Sequence, residues 1–448
     1  MEVKNKKISV IGSVRSGVAA AKLIKKLGGI PFVSDLNENK KTIEASEILN
    51  ENEIEFELGS HSEKVFDCDL MVVSPGVPSD SVVIKKAKEC KIKTISEIEL
   101  AAGFCKGSII AITGTNGKTT TTSLCGHVFN ECGYKTYVAG NIGLAFSEIV
   151  LDVKENEFVS LEVSSFQLDL IEKFKPKVAM ILNITPDHLN RYDNKIDNYV
   201  ASKMKIYENQ DMNDNLILNY DDKTIMTNLK NFESKQFLFS LNAHQDNGCS
   251  LSDNEILFNE NGSQKFKCQT DVLSLRGEHN IANAMAVITA AKIFNFDNDK
   301  LLNALSTFKG VEHRIEMVRE IDGVKYINDS KATNVDSVWY ALKSFDSDIF
   351  LILGGQDKGN DYNKIKDLVE QKVKKIFAIG SSADKIFNFF HSIIKVEVKG
   401  TLEECVIAAN NEARDSDVVL LSPACASFDM FDDYEHRGRV FKEAVNKL

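Results

Sequence analysis

Between Ile109 and Thr120 the chain reads Ile109-Ile110-Ala111-Ile112-Thr113-Gly114-Thr115-Asn116-Gly117-Lys118-Thr119-Thr120, and no other stretch restricts the fold as much. A short β-branched apolar run reads as a buried strand. It breaks at glycines, passes through Gly-Lys-Thr, and continues from Thr121 to Phe129 in residues that sustain a helix. Strand, glycine loop and helix in this order cradle phosphates. Backbone N–H groups unpaired at a helix N-terminus face anionic oxygens, and the helix dipole adds to the attraction. Gly114, Thr115, Asn116, Gly117 and Thr120 form the candidate loop. Lys118 would reach the terminal phosphates of a nucleotide, and the Thr119 hydroxyl would ligate Mg²⁺. The usual spacing wants glycine at position 112; here Ile112 stands there and Gly114 lies nearer the lysine. The expectation is an ATP site in an α/β sheet.

A chain of 448 residues exceeds one ordinary core, so two to four domains are expected. The net charge of -11 argues against a general nucleic-acid or anionic-membrane binder, so any phosphate must be met by local positive charge. Met1 to Lys7 lacks the apolar core of a signal peptide, and no stretch approaches the length of a membrane span. Nine cysteines without paired metal spacing fit reduced thiols and a cytoplasmic location.

Residues 7 to 35 read as a βαβ unit: a strand to Gly12, a turn Gly12-Ser13-Val14-Arg15-Ser16-Gly17, a helix Val18 to Leu27, and a strand from Ile30 ending at Asp35. Val14 replaces the middle glycine of a dinucleotide fingerprint, so the unit either binds a nucleotide diphosphate or is structural. A third strand, Leu70 to Val73, runs into Ser74-Pro75-Gly76-Val77-Pro78. Further on, Tyr137 to Gly140 leads into Asn141-Ile142-Gly143. Phe158 to Leu168 places Glu162 inside an otherwise apolar strand. A buried carboxylate is costly unless paired or metal-bound, so Glu162 is either a metal ligand or half of an ion pair. Val178 to Ile184 is a strand followed by Asp187-His188-Leu189, where His188 would contact a metal, its water or a phosphate, or serve structurally. Lys203 lies on a helix within Tyr199 to Tyr207, and spacing assigns it no role. Asn280 and Asn283 share a helix face, suited to binding a base or to capping.

The last third begins near Gly310 and carries His313-Arg314. Strands at Val324–Asn328, Ile349–Gly354, Lys375–Gly380 and Val418–Ser422 alternate with helices, which predicts a doubly wound sheet. Polar turns follow them: Asp329 to Asn334, Lys358, and Pro423 to Phe431.

In order along the chain, the phosphate loop, Gly140-Asn141-Ile142-Gly143, Leu161-Glu162-Val163-Ser164-Ser165-Phe166-Gln167-Leu168, Asp187-His188-Leu189, Gly277-Glu278-His279-Asn280, His313-Arg314 and Asn328-Asp329-Ser330-Lys331-Ala332-Thr333 resemble the Mur ligases. These are ATP-dependent amide-forming enzymes of peptidoglycan precursor synthesis. Glycine at 114 is the form that family uses. Leu421 to Phe431, with Tyr434 and Arg437-Gly438, is similar to the branch that adds D-glutamate; the Asp-Asn-Pro-Arg signature of the branch adding the third residue is missing. Folylpolyglutamate synthases share the loop but lack such an N-terminal domain.

The resemblance implies three α/β domains with Rossmann-like or mononucleotide-binding parallel sheets. These would be a UDP-substrate domain (1–97), a central P-loop ATPase-type domain (98–309) and a domain for D-glutamate (310–448). It implies a cytoplasmic, monomeric enzyme acting on UDP-N-acetylmuramoyl-L-alanine, D-glutamate and ATP through an acyl phosphate. Lys118 would neutralise the transferring phosphoryl group. Thr119 and Glu162 would hold one Mg²⁺, and His188 with a carbamylated Lys203 a second. Asn141 and His188 would place the substrate carboxylate. Asn280, Asn283, Arg314 and Asp329 would bind adenine and ribose. Thr333, Lys358, Ser427, Phe428 and Tyr434 would take D-glutamate, and Ser16, Asp35 and Gly76 the UDP moiety. Leu36 and Asn37 stand where the family commonly has Thr-Arg after the aspartate, and Arg15 is a further departure.

Overall fold

A computed structural model describes every residue except Ser79, Asn231 and Arg276. Three sheets account for the strands. The first comprises β1 (Lys7–Ile11), β2 (Ile30–Asp35), β3 (Glu55–Leu58), β4 (Leu70–Val73) and β5 (Thr94–Ser96). Its order is β3-β2-β1-β4-β5, all parallel. Right-handed crossovers force helices onto both faces of such a sheet, which is why β1 and β4 are buried along nearly their whole length. The order reverses at β1, so a crevice opens beyond the C-terminal ends of β1 and β4.

The second sheet holds β6 (Ser108–Thr113), β7 (Thr136–Gly140), β8 (Phe158–Glu162), β9 (Val178–Ile181), β10 (Asn215–Asn219), β11 (Lys235–Ser240), β12 (Gly248–Ser252), β13 (Glu255–Glu260) and β14 (Ser263–Gln269). Its order is β14-β13-β12-β11-β10-β9-β6-β8-β7. Strand β6 is interior to the sheet and buried from Ile109 to Thr113, and the phosphate loop emerges between the ends of β8 and β9. The antiparallel strands β13 and β14 extend one edge; their alternating pattern is too polar to announce buried strands.

These two sheets belong to one compact unit, Met1–Ser274 with Ile281–Phe308. One apolar cluster runs from Val10 and Ile24 through Ile98 and Phe146 to Ile181 and Leu216. Two buried carboxylates anchor the sheets to each other. Glu97 accepts from Ser147 N at 2.6 Å, and burial raises its pKa above the ordinary value. Glu99 accepts from the backbone N–H groups of Glu172, Lys173 and Phe174 at 2.8–3.1 Å.

The second unit, Leu275–Asn280 with Lys309–Leu448, is built on β15 (Glu316–Ile321), β16 (Val324–Asn328), β17 (Ile349–Gly354), β18 (Val373–Ile379), β19 (Lys395–Val398) and β20 (Val418–Leu421). The order is β15-β16-β20-β17-β18-β19, parallel except for β15. The doubly wound sheet expected from four strands is present with two edge strands added; the first sheet likewise has five strands where three were legible. The additional strands β3, β5, β15 and β19 are short or half-exposed edges, where the hydrophobic signal is weakest.

Glu99→Ala removes the acceptor of three backbone donors at the junction of the first two sheets. The buried Phe174 N–H left unpaired costs about 1–3 kcal/mol, while the part-buried Glu172 and Lys173 donors regain water and cost less, so denaturant unfolding of the full chain should show a loss of roughly 2–4 kcal/mol.

Candidate active site

The phosphate loop is held rigid by the segment that follows β9. Thr115 N donates to Asn183 O at 2.9 Å, Asn116 N to Asn183 Oδ1 at 2.8 Å, and Asn183 Nδ2 returns a bond to Asn116 O at 3.0 Å. The Thr115 hydroxyl reaches Thr185 O and the Tyr199 hydroxyl. Gly117 has φ of +83° and caps the helix Lys118–Glu131 in a left-handed conformation. A Cβ there would also lie 2.6 Å from Asn283 Oδ1, so glycine is required twice over. Thr119 and Thr120, in the first turn, are buried. Asn183 was not singled out from sequence; its only signal is a polar residue just past a buried strand.

Two lysines converge on this loop. Lys118 Nζ donates to Gly114 O at 2.9 Å and Thr115 O at 2.8 Å. Lys203 Nζ donates to the same Gly114 O at 2.7 Å. Lys203 is wholly buried on the helix Ile196–Met204. Burial, reinforced by the charge of Lys118, holds its pKa well below the usual lysine range. Glu162 is the last residue of β8, not an interior one: the chain turns at Val163 into the short helix Ser165–Leu168. Its side chain is 1% exposed. Oε1 accepts from Asn141 Nδ2 at 2.8 Å, and the buried Oε2 has no hydrogen-bond partner among the described residues. An unsatisfied carboxylate oxygen near a neutralisable lysine suits a divalent cation taking oxygen ligands. The described residues of this unit thus fit Mg²⁺. His188 sits on the loop after β9 with φ of +51°, its ring edge-on to Phe166 and Nε2 3.7 Å from Asp187 Oδ2.

Ser16, Asp35, Gly76 and Asn141 line a cleft of about 980 Å³ beyond β1 and β4, at the crevice that the strand order predicts. Arg191 keeps the Gly76 turn in place, donating to Pro75 O and Val77 O at 3.2 and 2.8 Å while stacking on Phe166. Arg15 donates to Asn141 O at 3.2 Å, tying the first βα turn to the Asn141 loop. Asp35 is fully engaged within the protein. It accepts from Ser13 N, Ser13 Oγ, Asn37 N and Asn37 Nδ2, which fills the roughly four acceptor positions of a carboxylate.

In the second unit Arg314 and Asp329 face one another electrostatically. Burial pushes Asp329 up to about 6 although Arg314 opposes the shift. Asp329 accepts from Ser422 Oγ at 2.8 Å, and Arg314 Nε is buried without a hydrogen-bond partner among the described residues. Asn280 and Asn283 are both buried on the helix Glu278–Ile293. Lys358 and Phe428 are exposed and Ser427 is buried. Thr333 lies on the turn after Lys331, and Lys331 Nζ donates to the Tyr434 hydroxyl at 3.1 Å.

Arg437, assigned no role from sequence, organises this region. It is 1% exposed, and its guanidinium donates to Ser330 Oγ, Ser330 O, Cys425 O and Ala426 O. It thereby fastens the turns that carry Thr333 and Ser427. Gly438 beside it leaves room for the His313 ring, which pairs with Asn328 Nδ2 at 2.9 Å. His313 is thus structural in the His313-Arg314 pair.

Two outcomes follow from this geometry. Asn183→Ala should raise the KM for ATP roughly tenfold, about 1.4 kcal/mol, with little change in thermal midpoint, because it loosens the loop without opening a core. Asp329, with its folded-state pKa raised, binds more protons folded than unfolded between pH 4 and 6. Its ionisation therefore erodes stability as pH rises through that window, by at most about 3 kcal/mol. Denaturation at pH 5 and 7.5 should show a smaller loss for Asp329→Asn than for wild type.

Residues 7–83 match the MurD N-terminal domain, 112–291 the Mur ligase middle domain and 313–425 the Mur ligase glutamate ligase domain. The chain is 44% identical over 468 residues to the UDP-N-acetylmuramoylalanine--D-glutamate ligase of Chloroherpeton thalassium, covering 100% of this chain and 99% of the relative. It is 42% identical to the protein of that name from Salinibacter ruber, with the same coverage. Among solved structures, the UDP-N-acetylmuramate-alanine ligase MurC of Thermotoga maritima superposes with a TM-score of 0.66 at 20% identity, covering 99% of this chain and 100% of that one. The MurF ligase of Thermotoga maritima gives 0.62 at 15% identity, covering 93% and 95%. At such identities the likeness shows the shared fold of three α/β domains. The chain belongs to the Mur ligase family, in the branch whose first domain is of the MurD type.

Proposed function

We infer that this protein joins D-glutamate to UDP-N-acetylmuramoyl-L-alanine, using ATP, in peptidoglycan precursor synthesis. Full-length similarity to ligases of that name supports the substrates. The observation that carries the chemistry is the convergence of Lys118 and Lys203 on Gly114, with Glu162 Oε2 unsatisfied. ATP transfers its γ-phosphoryl group to the terminal carboxylate of the substrate; the D-glutamate amine attacks the acyl phosphate, and inorganic phosphate leaves. The protein contributes positioning and charge neutralisation rather than covalent chemistry. The loop amides hold the nucleotide phosphates, and Lys118 turns from the loop carbonyls to the transferring group. Asn141 and His188 orient the acceptor carboxylate. Asn280, Asn283, Arg314 and Asp329 bind adenine and ribose, the free Nε of Arg314 offering a donor. Lys358, Thr333, Ser427, Phe428 and Tyr434 receive D-glutamate. Ser16, Asp35 and Gly76 border the UDP moiety.

Thr119 and Glu162 would hold one Mg²⁺, and His188 with a carbamylated Lys203 a second; bound there, the ions supply charge neutralisation for the phosphoryl group. Lys203 suits carbamylation because burial and the charge of Lys118 lower its pKa, which favours the neutral amine, the form that adds to CO₂. The reading takes the enzyme as a cytoplasmic monomer of three domains, 1–97, 98–309 and 310–448. Among the described residues no helix is long and apolar enough to cross a membrane.

Phosphate release measured with UDP-N-acetylmuramoyl-L-alanine, ATP and a panel of amino acids should be specific to D-glutamate. Release only with another amino acid would instead identify a sibling ligase. Lys203→Ala should lower turnover by about 100-fold or more, with partial recovery on adding bicarbonate or a short carboxylic acid. Full activity of that variant without additives would refute the carbamate.

A further inference from the structure

The cleft beyond β1 and β4 is also lined by a histidine that the sequence did not mark. Asp35, the natural candidate at the tip of β2, has its acceptor positions filled by Ser13 and Asn37. Leu36 beside it is apolar and exposed. His61 lines the same cleft, together with Phe66 and Val82, which give it apolar walls.

The protonation of His61 follows from its neighbours. Ser34 Oγ lies 2.7 Å from Glu57 Oε1 and 2.7 Å from His61 Nδ1. Burial pushes the Glu57 carboxyl up, but hydrogen bonds from Ser62 and Ser34 bring it below its ordinary value. It is therefore an ionised acceptor with no proton to give. The single Ser34 proton goes to Glu57, so Ser34 Oγ must accept from His61 Nδ1–H. Burial also keeps the His61 pKa below the usual histidine value, though Glu57 and Asp35 oppose it. In a neutral ring with its proton on Nδ1, Nε2 carries a lone pair. Nε2 has no hydrogen bond or ion pair among the described residues, and the residue borders the cleft.

We propose that His61 Nε2 accepts a hydrogen bond from the N3–H of the substrate's uracil, making His61 a specificity-determining residue for the nucleobase. This rests on the substrate being a UDP derivative. Uracil presents a donor at N3, whereas cytosine presents a lone pair there, which would oppose that of Nε2. The Glu57–Ser34–His61 chain thus selects uracil by fixing which ring nitrogen is bare.

Calorimetric titration of the full chain with UDP and with CDP tests this without requiring turnover. Wild type should bind UDP about tenfold or more tightly than CDP, the value of one hydrogen bond replaced by a repulsion. His61→Phe should bring that ratio close to one and raise the KM for UDP-N-acetylmuramoyl-L-alanine, leaving the KM for ATP and D-glutamate unchanged. His61→Gln, whose side-chain carbonyl is again an acceptor, should recover part of the preference, which a merely structural role would not predict. Equal binding of UDP and CDP by wild type, or an unchanged preference in the folded Phe variant, overturns the proposal. Wild type that selects UDP but releases no phosphate with D-glutamate would sink the reading of the reaction instead.

Discussion

Two lysine amino groups share one carbonyl, and the first unit is arranged to permit it. Gly114 O accepts from Lys118 and Lys203, which a carbonyl with two lone pairs can do. Two full charges at that spacing, one of them buried, would be costly. The lowered pKa of Lys203 eases the repulsion by favouring its neutral form, which can still donate. Lys118 remains the loop's cation. The arrangement needs Gly114 held still, and the reciprocal amide bonds of Asn183 to Asn116 do this from the adjacent β9. Strand order supplies the rest: only because β6 lies between β8 and β9 do Glu162 and Asn183 flank the loop.

The same unit uses buried carboxylates as backbone acceptors where its two sheets meet. Glu97 and Glu99 each receive N–H groups from segments that connect strands of the second sheet. Arg191 and Arg15 do the converse at the other end, giving their protons to carbonyls of Pro75, Val77 and Asn141. Charged side chains bonded to backbone groups fix position without needing a second charged partner. In the second unit Arg437 follows the same logic, with five bonds to a hydroxyl and carbonyls and no carboxylate among its hydrogen-bond partners in the described residues. Burial lowers its pKa to about 10, which still leaves it charged at neutral pH.

Much of this was legible in the chain. The runs 70–73, 109–113 and 349–354 are apolar enough that only buried parallel strands suit them, and each does end in a turn that borders a candidate site. Edge strands such as β3 and β19 escaped because a half-exposed strand need not be apolar. Glu162 was read as lying within a strand because Val163 continues the apolar run; the chain turns there because Ser164 and Gln167 form a capping box. Asn183 and His61 carried no local signal, since their side-chain hydrogen-bond partners lie at least 27 residues away in sequence, and the reach of Arg437 back over 107 residues to Ser330 is equally invisible locally.

Sequence alone determined the order of strands, glycine turns and helices, the phosphate loop, and the family. These are local properties: periodicity, backbone freedom at glycine, and residue types at short spacing. Tertiary structure alone decided which polar atoms are left over. Among the described residues Asp35 proves saturated, Glu162 retains one unsatisfied oxygen, Lys203 is pushed toward its neutral form, and His61 is left with a bare nitrogen. Each outcome depends on how many donors and acceptors converge from distant segments and on how much water is excluded. Neither quantity can be counted until the sheets are assembled.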